Sequence, residues 1–176
     1  MPTNTTLMHS VSAGTRSVSA ISVQSIADGT GSGSSVVATG SAAATLIGGD
    51  GNDRLTSGSG NDWITGGLGV DTLTGGAGAD RFVYAAAAES PVAGVDVIAD
   101  FDATADLLVF GGGLLRGTFV FRGAADLTGS GNSEARFDDA TKLLSVDLDG
   151  DGAADMGITL AGVAFASLDR SDFIWP

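Results

Sequence analysis

Between residues 48 and 83 the chain repeats a nine-residue pattern four times without a break: Gly-Gly-x-Gly-x-Asp-x-apolar-x. The units read GGDGNDRLT, SGSGNDWIT, GGLGVDTLT and GGAGADRFV, and only Ser57 departs from a fixed position, in place of a first glycine. A short fixed period is typical of stacked folds in which each unit packs on its neighbours. Residues 40–47, GSAAATLI, read as a worn copy without the aspartate, as expected of a terminal coil.

Each unit divides into a glycine-rich turn of six residues and a strand of three. Glycines at the first, second and fourth positions allow positive φ and leave carbonyl oxygens uncovered, and the sixth residue supplies a carboxylate. The central strand residue points inward, which predicts a core of Leu55, Ile64, Leu73 and Phe82. Two units make a coil of 18 residues, so units two apart stack at about 4.8 Å.

Stacking at this distance pairs Asp53 with Asp71 and Asp62 with Asp80. Bare like charges would repel, and a hard cation between them removes the repulsion. Calcium takes six to eight oxygen ligands, and two turns offer two carboxylates and several carbonyls. The pattern therefore predicts calcium binding, and it predicts that binding drives folding. The alternative, a flexible glycine-rich linker, is disfavoured by the in-phase apolar residue.

These units resemble the RTX, or hemolysin-type calcium-binding, repeat family. The resemblance implies an all-β fold, in which a right-handed parallel β-roll of calcium-binding nonapeptide repeats is followed by a β-rich, sandwich-like C-terminal cap. It also implies that each ion is bound by two aspartates, by carbonyls at positions 2 and 4 of one turn, and by carbonyls at positions 1 and 3 of the next. The ligands carried over are Gly49, Gly51, Asp53, Gly66, Leu68 and Asp71 at one site, and Gly58, Gly60, Asp62, Gly75, Ala77 and Asp80 at the other.

Residues 80–110, residues 143–155 and the final DFIWP resemble the C-terminal domain of serralysins. That resemblance implies Asp100 and Asp106 as candidate ligands of a further ion, and a solvated acidic turn is the alternative. Asp147, Asp149 and Asp151 match the first half of an EF-hand loop, but position 12 is Ile158 and no helices flank the loop. This segment is therefore predicted to be a hairpin turn with at most weak calcium affinity.

Changes in composition predict three parts of the chain. Residues 1–38 are a polar N-terminal segment, partly disordered, with a strand at 17–26 and a loop at 28–35. Residues 39–84 are the β-roll. Residues 85–176 are the cap, with a helical turn at 85–89 and strands within 95–110, 118–122, 135–137, 143–148 and 156–160.

Charge and residue usage exclude several classes of function. Acids outnumber bases 21 to 8, giving a formal charge of −13, and the single lysine and scattered arginines argue against nucleic-acid binding. No apolar window is long enough for a membrane span. There is no cysteine, so disulfides and thiolate metal sites are excluded. The only histidine, His9, cannot form a three-histidine zinc site, and no Gly-x-Ser-x-Gly elbow occurs, so no enzyme is predicted.

The N-terminal residues lack the basic and apolar regions of a Sec signal, so the chain is either cytoplasmic or exported by another route. Proteins of the family usually leave through a type I ABC exporter, directed by an uncleaved C-terminal signal, and Asp172, Phe173 and Ile174 match its acidic-then-apolar ending. The prediction is a secreted, extracellular calcium-binding protein. The alternatives are an adhesin, surface-layer or matrix module with an unknown cell-surface partner, or the C-terminal part of a larger secreted protease or lipase, against which Met1 argues.

Overall fold

The computed structural model describes residues 15–19, 33–111 and 113–175, and for residues 15–19 it describes the backbone only. Within these ranges the regular elements are β-strands and three-residue 3₁₀ turns. The strands are β1 (Thr15–Ser19), β2 (Ser35–Thr39), β3 (Thr45–Asp50), β4 (Arg54–Thr56), β5 (Trp63–Leu68), β6 (Thr72–Thr74), β7 (Arg81–Tyr84), β8 (Asp96–Ile98), β9 (Leu107–Phe110), β10 (Val120–Phe121), β11 (Glu134–Asp138), β12 (Leu143–Asp147), β13 (Met156–Leu160) and β14 (Phe173–Ile174).

The 3₁₀ turns cover Ala87–Glu89, Phe165–Ser167 and Arg170–Asp172. Across the described ranges, helical segments this short cannot reach through a membrane. The first of these turns lies inside the helical turn predicted at 85–89.

Successive strands from β2 to β9 alternate between two sheets. Sheet A has nine strands in the order β1-β2-β4-β6-β8-β13-β12-β11-β10, and sheet B has five in the order β14-β9-β7-β5-β3. Along the stack, β2, β4, β6 and β8 pair in parallel in sheet A, and β3, β5, β7 and β9 pair in parallel in sheet B. One coil therefore contributes one strand to each sheet, which confirms the predicted parallel β-roll.

The register follows the nonapeptide arithmetic. Leu55 pairs with Leu73 in sheet A, and Ile64 pairs with Phe82 in sheet B, so each residue pairs with its counterpart two units along the chain. All four side chains are fully buried, and they form the predicted core between the two sheets. Burying a side chain of this size contributes about 1.5–3 kcal/mol, so these four residues are a main source of the stability of the roll.

Parallel stacking continues beyond the last nonapeptide. Strand β8 pairs with β6, placing Ile98 beside Leu73, and β9 pairs with β7, placing Leu108 beside Phe82. These partners are further apart in the chain than two nonapeptides, because longer loops replace the glycine-rich turns. Ile98 and Leu108 are both fully buried and extend the two columns of core side chains.

The C-terminal strands join both sheets. β13 pairs in parallel with β8, and β11, β12 and β13 form an antiparallel meander that extends sheet A. At the other sheet, β14 pairs in parallel with β9. The C-terminal region is therefore mixed β-structure, as predicted, and it shares its sheets with the roll.

An aromatic cluster fixes the C-terminus to this region. The rings of Phe110 and Trp175 stack with centroids 4.4 Å apart, and Phe119 lies 4.8 Å from Trp175. Phe173 packs against Phe119 and Phe121 at 5.1 and 5.2 Å. Such contacts contribute about 0.5–1.5 kcal/mol each beyond area burial, so the last strand is held firmly.

The four strands predicted beyond residue 117 are confirmed as β10 to β13. β10 is shorter than its predicted range, and the ends of the other three strands differ from the predicted ends by at most one residue. The 95–110 segment forms β8 and β9 around an acidic turn. At the N-terminus, β1 covers 17–19 of the strand predicted at 17–26. The rest of that strand and residues 28–32 of the predicted loop lie outside the described residues.

Candidate metal centre

Each nonapeptide aspartate comes immediately before a strand and is buried. Asp53, Asp62, Asp71 and Asp80 precede β4 to β7 in order, and none exposes more than 3% of its surface. Side chains alternate along a strand, so an aspartate two positions before the inward apolar residue is directed to the same side. A buried carboxylate is costly unless hydrogen bonds or cations compensate it.

Three aspartates form a hydrogen-bonded series along sheet A, the sheet-A ladder: Asp53, Asp71 and Asp96. The backbone N–H of Asp53 donates to Oδ1 of Asp71 at 2.7 Å, and the N–H of Asp71 donates to Oδ1 of Asp96 at 2.8 Å. At the upstream end, the N–H of Ser34 donates to Oδ1 of Asp53 at 2.6 Å. Each carboxylate thus holds the backbone of the preceding coil.

The sheet-B ladder has the same construction with Asp62, Asp80 and Asp106. The N–H of Ala44 donates to Oδ1 of Asp62 at 2.6 Å, that of Asp62 to Asp80 at 2.8 Å, and that of Asp80 to Asp106 at 2.9 Å. Both expected pairs, Asp53 with Asp71 and Asp62 with Asp80, are therefore stacked neighbours. Their role as calcium ligands stays a prediction.

Burial and stacking make these carboxyl groups harder to ionise. Desolvation is the main cause that raises the pKa of Asp71 and of Asp80 from 3.8 to about 6. The N–H donors of Asp53 and Asp62 lower these pKa values, and the charges of neighbouring acids raise them again. At neutral pH the ladders therefore carry buried negative charges at close range, which a cation would stabilise.

In the units that begin with glycine, Oδ2 of the aspartate has room beside it because the first residue carries no side chain. Oδ2 of Asp71 and Oδ2 of Asp80 are buried and accept no hydrogen bond from the described residues. A Cβ on Gly66 would collide with Oδ2 of Asp71, and one on Gly75 would collide with Oδ2 of Asp80. A buried lone oxygen beside open backbone suits a hard cation, so these residues fit calcium.

The second unit differs at this same position. Ser57 is buried, and its Oγ donates a hydrogen bond to Oδ2 of Asp62. In this unit the hydroxyl therefore bonds to the aspartate Oδ2, the oxygen that lies beside a glycine in the other units. The Asp62–Asp80 pair is therefore chemically distinct from the Asp53–Asp71 pair, although both come from the same repeat.

The expected carbonyl ligands lie in turns that stack directly on one another. They are Gly49, Gly51, Gly66 and Leu68 at the first site and Gly58, Gly60, Gly75 and Ala77 at the second. The Leu68 carbonyl accepts the N–H of Gly51 at 2.7 Å, and the Gly58 carbonyl accepts the N–H of Ala77 at 3.0 Å. A carbonyl oxygen has two lone pairs, so these groups keep capacity for a cation. Their assignment as ligands stays a prediction.

Asp100 and Asp106, the candidate ligands of a further ion, both lie beside the fourth nonapeptide. The two oxygens of Asp100 accept the N–H groups of Gly75 and Gly76 at 2.9 and 2.8 Å. Asp106 uses Oδ1 in the sheet-B ladder, and its Oδ2 accepts the N–H of Asp102 at 2.9 Å. Each oxygen therefore has a backbone donor, and a role in binding an ion stays a prediction.

The turn between β12 and β13 brings three carboxylates together. Ligand oxygens of Asp147, Asp149 and Asp151 lie within 4.8 Å of one another. β12 and β13 pair antiparallel, which confirms the predicted hairpin. Asp147 is buried and accepts the N–H groups of Gly150 and Gly152 at 2.7 and 2.8 Å, so it shapes the turn. Weak calcium affinity here stays a prediction.

Sequence reasoning missed Asp96, the last member of the sheet-A ladder. A signal was present, because Asp96-Val97-Ile98 repeats the Asp-x-apolar ending of the nonapeptide without its glycines. It also missed Asn52 and Asn61, whose Oδ1 atoms accept the N–H groups of Val70 and Ala79 on the next coil, each at 3.0 Å. The asparagine at position 5 of each of the first two units therefore connects its turn by a hydrogen bond to the turn stacked on it.

The fold and the two ladders define a parallel β-roll protein of the calcium-binding type. Residues 39–82 match the family model of the RTX calcium-binding nonapeptide repeat, in four copies. The matched residues are therefore RTX-type repeats, and calcium is the ion that these repeats bind.

Two solved structures from Azotobacter vinelandii are similar to this chain, both subunits of the mannuronan C5-epimerase AlgE6. The R3 subunit shares 25% identity at a TM-score of 0.51, over 78% of this chain and 77% of that subunit. The R2 subunit shares 25% identity at a TM-score of 0.52, over 92% of each chain. No curated protein matches the sequence. The structural likeness supports a β-roll that continues into a β-rich C-terminal region.

Proposed function

We propose that this protein is a secreted, non-catalytic calcium-binding module that folds when it meets extracellular calcium after leaving the cell through a type I exporter. The observation that carries the proposal is the pair of buried aspartate ladders. Each ladder places like charges on successive coils, with each carboxylate in contact with the backbone of the preceding coil. Without a cation these charges oppose the stacking on which the core depends.

Calcium would make the stacking of the coils favourable. A cation between Asp53 and Asp71, or between Asp62 and Asp80, offsets their repulsion and satisfies oxygens that lie next to glycine. The unfolded chain holds no such site, so binding free energy adds to folding free energy. The formal charge of −13 acts in the same direction, because it disfavours the compact state until cations bind.

The position of the C-terminal residues supports export before folding. Asp172 and Phe173, which match the family's export signal, are buried in the folded chain. Asp172 accepts the N–H of Asp169, and Phe173 pairs with Leu108 in sheet B. A signal built into a sheet is accessible to an exporter only while the chain is unfolded, and scarce cytosolic calcium would keep it so.

Circular dichroism with calcium and with chelator tests calcium-driven folding. We expect β-structure to appear on addition of calcium, and the double variant Asp62→Ala with Asp71→Ala to require far more calcium. Asp126→Ala is the matched control, because it removes an acid whose side chain is 90% exposed. Equal β-content with calcium and with chelator would contradict the proposal, as would unchanged affinity in the double variant.

Secretion from cells that carry a type I exporter tests the export half separately. Substituting Asp172, Phe173 and Ile174 together by serine should stop secretion, whereas Asp62→Ala should leave the signal readable. Export of the triple variant at the wild-type level would remove the C-terminal signal from the proposal without affecting calcium binding.

A second candidate is a module that binds a mannuronan-type polysaccharide, favoured by the similarity to the AlgE6 subunits. Trp63 is 46% exposed on β5, and the Arg81 guanidinium lies 5.3 Å from its ring centre. An exposed aromatic ring beside a cation is suited to an anionic sugar chain. Titration with mannuronan oligomers tests this: binding that Trp63→Ala abolishes supports it, and no binding by the calcium-loaded protein excludes it.

A further inference from the structure

The downstream end of the sheet-A ladder pairs the last nonapeptide aspartate of that sheet, Asp71, with Asp96, which belongs to no nonapeptide. Strand β8 stacks on β6, so that Asp96 takes the place below Asp71 that a fifth repeat would fill. The N–H of Asp71 donates to Oδ1 of Asp96 at 2.8 Å. The residues before Asp96, AESPVAGV, lack the glycine pattern, so the repeat motif gives no indication of a site here.

Asp71 and Asp96 each have a carboxylate oxygen without a hydrogen-bond partner among the residues that the structure describes. Oδ2 of Asp71 and Oδ2 of Asp96 are buried, and neither accepts a hydrogen bond. Neither residue exposes any surface. A buried charged oxygen with no donor costs several kcal/mol, so two of them at adjacent positions require compensation.

Two further oxygen-bearing side chains lie close to this pair. Tyr84 is 1% exposed, and its hydroxyl is near enough to Asp96 to interact with it, yet it makes no hydrogen bond of ordinary geometry. Glu89 is half-buried, and its charge acts on Asp71, Asp96 and Tyr84. Within the described part of the chain, every charge that perturbs these three groups is negative.

The matching end of the sheet-B ladder is built differently. Oδ1 of Asp106 accepts the N–H of Asp80, and Oδ2 accepts the N–H of Asp102, which lies four residues upstream in the same loop. Backbone donors therefore satisfy both oxygens there. The sheet-A ladder has no equivalent among the described residues, because the N–H of Asp96 donates to Ser90 Oγ and its Oδ2 is left buried without a hydrogen bond.

We propose that a hard divalent cation, calcium in the secreted protein, binds between Asp71 and Asp96 with the Tyr84 hydroxyl as a further oxygen donor and Glu89 as a nearby charge. This proposal rests on the calcium-binding function of the repeats and adds a site beyond them. Asp71 then lies between two ions, one shared with Asp53 and one shared with Asp96. Metal binding in the roll thus extends beyond the last glycine-rich turn to β8, the strand that joins the roll to the cap.

Counting bound ions in the full chain at saturating calcium tests the proposal. Equilibrium dialysis with atomic emission should give one ion fewer for Asp96→Asn than for the wild type, and the same number for the surface control Asp126→Asn. Asp62→Asn should also lose one ion, from the repeats. An unchanged count in Asp96→Asn alone overturns this site and leaves the repeats intact, whereas an unchanged count in both variants also overturns the proposed ligand role of Asp62.

Terbium luminescence gives a second reading that does not depend on how well Asp96→Asn folds. Tyr84 is the only tyrosine, so an ion next to it should produce a tyrosine band in the terbium excitation spectrum. Tyr84→Phe should lose that band and keep the tryptophan band. Absence of a tyrosine band in the wild type overturns the proposal.

Discussion

The backbone N–H of Asp53 donates to the carboxylate of Asp71, 18 residues further along the chain, at 2.7 Å. The contact joins two functions in one side chain. Oδ1 of Asp71 holds the preceding coil in register, while its Oδ2 is left buried without a hydrogen bond. The residue that aligns the stack is therefore also one that brings an unpaired, buried carboxylate oxygen into it.

Asp71→Asn should separate these two functions. The amide oxygen can still accept the N–H of Asp53, but the charge that binds calcium and repels Asp53 is gone. We expect calcium affinity to fall by at least about tenfold, equivalent to about 1.4 kcal/mol. In chelator, by contrast, the variant should be more folded than the wild type. Calorimetric titration and circular dichroism measure the two effects. A variant that is less folded in chelator would show that repulsion is not what opposes folding.

Ser57→Gly should restore the full repeat pattern at the one position where it is broken. The loss of the hydroxyl bond to Asp62 should cost the calcium-free fold about 1 kcal/mol. The freed oxygen should raise calcium affinity at the Asp62–Asp80 pair, by up to about tenfold. Ser59→Gly is the control in the same turn, because its exposed hydroxyl contacts only the Gly40 carbonyl among the hydrogen bonds described. Equal effects of the two substitutions would exclude a special role for Ser57.

The stability of the calcium-free protein should decrease as the pH rises. Burial raises the pKa of Asp71 and Asp80 to about 6 and that of Asp96 to about 7, above the ordinary value of 3.8. The folded chain therefore holds protons more tightly than the unfolded chain, and the resulting stability is full below about pH 4 and lost as the pH passes through 6 to 7. Circular dichroism of the metal-free protein at pH 4.5, 6 and 7.5 should show a folded fraction that falls as the pH rises. Saturating calcium should remove or reverse this trend, since the ion requires ionised carboxylates.

Ser90→Ala should weaken the junction between roll and cap. The Ser90 hydroxyl accepts the N–H of Asp96 at 2.8 Å and donates to the Gly157 carbonyl at 2.5 Å, and the residue is fully buried. Its removal leaves a buried donor unpaired, at a cost of about 1–3 kcal/mol. Thermal unfolding at saturating calcium measures this loss. Ser167→Ala removes an exposed hydroxyl that donates to Ala164 and should change the midpoint little.

The β-roll could be predicted from the sequence because its determinants are local and repeated. Asp-x-apolar fixes which residue begins each strand and which side chain enters the core, as Leu55 and Leu73 show. The period of the repeat then fixes the register at two units, without reference to the rest of the chain. The pairing of Asp62 with Asp80 followed from this arithmetic alone.

Contacts that depend on irregular loops could not be predicted in this way. Asp96 and Asp106 both follow the Asp-x-apolar pattern, yet one keeps a lone buried oxygen and the other accepts an N–H from its own loop. The difference lies in the paths of residues 85–95 and 99–105, which have no repeat to define them. The hydrogen bond from Ser57 to Asp62 was missed for a related reason: the sequence marks Ser57 as a departure but not where its hydroxyl points.

The sequence by itself determined the repeat unit, the core residue of each coil, the aspartate pairs and the preference for calcium, because each follows from a pattern no longer than one coil. Only the tertiary structure decided how the stack ends. Whether the second oxygen of a terminal carboxylate also receives a backbone N–H depends on the path of the irregular loop before it. In addition, β13 arrives beside β8 from a distant part of the sequence. Long-range packing of this kind leaves no period in the sequence.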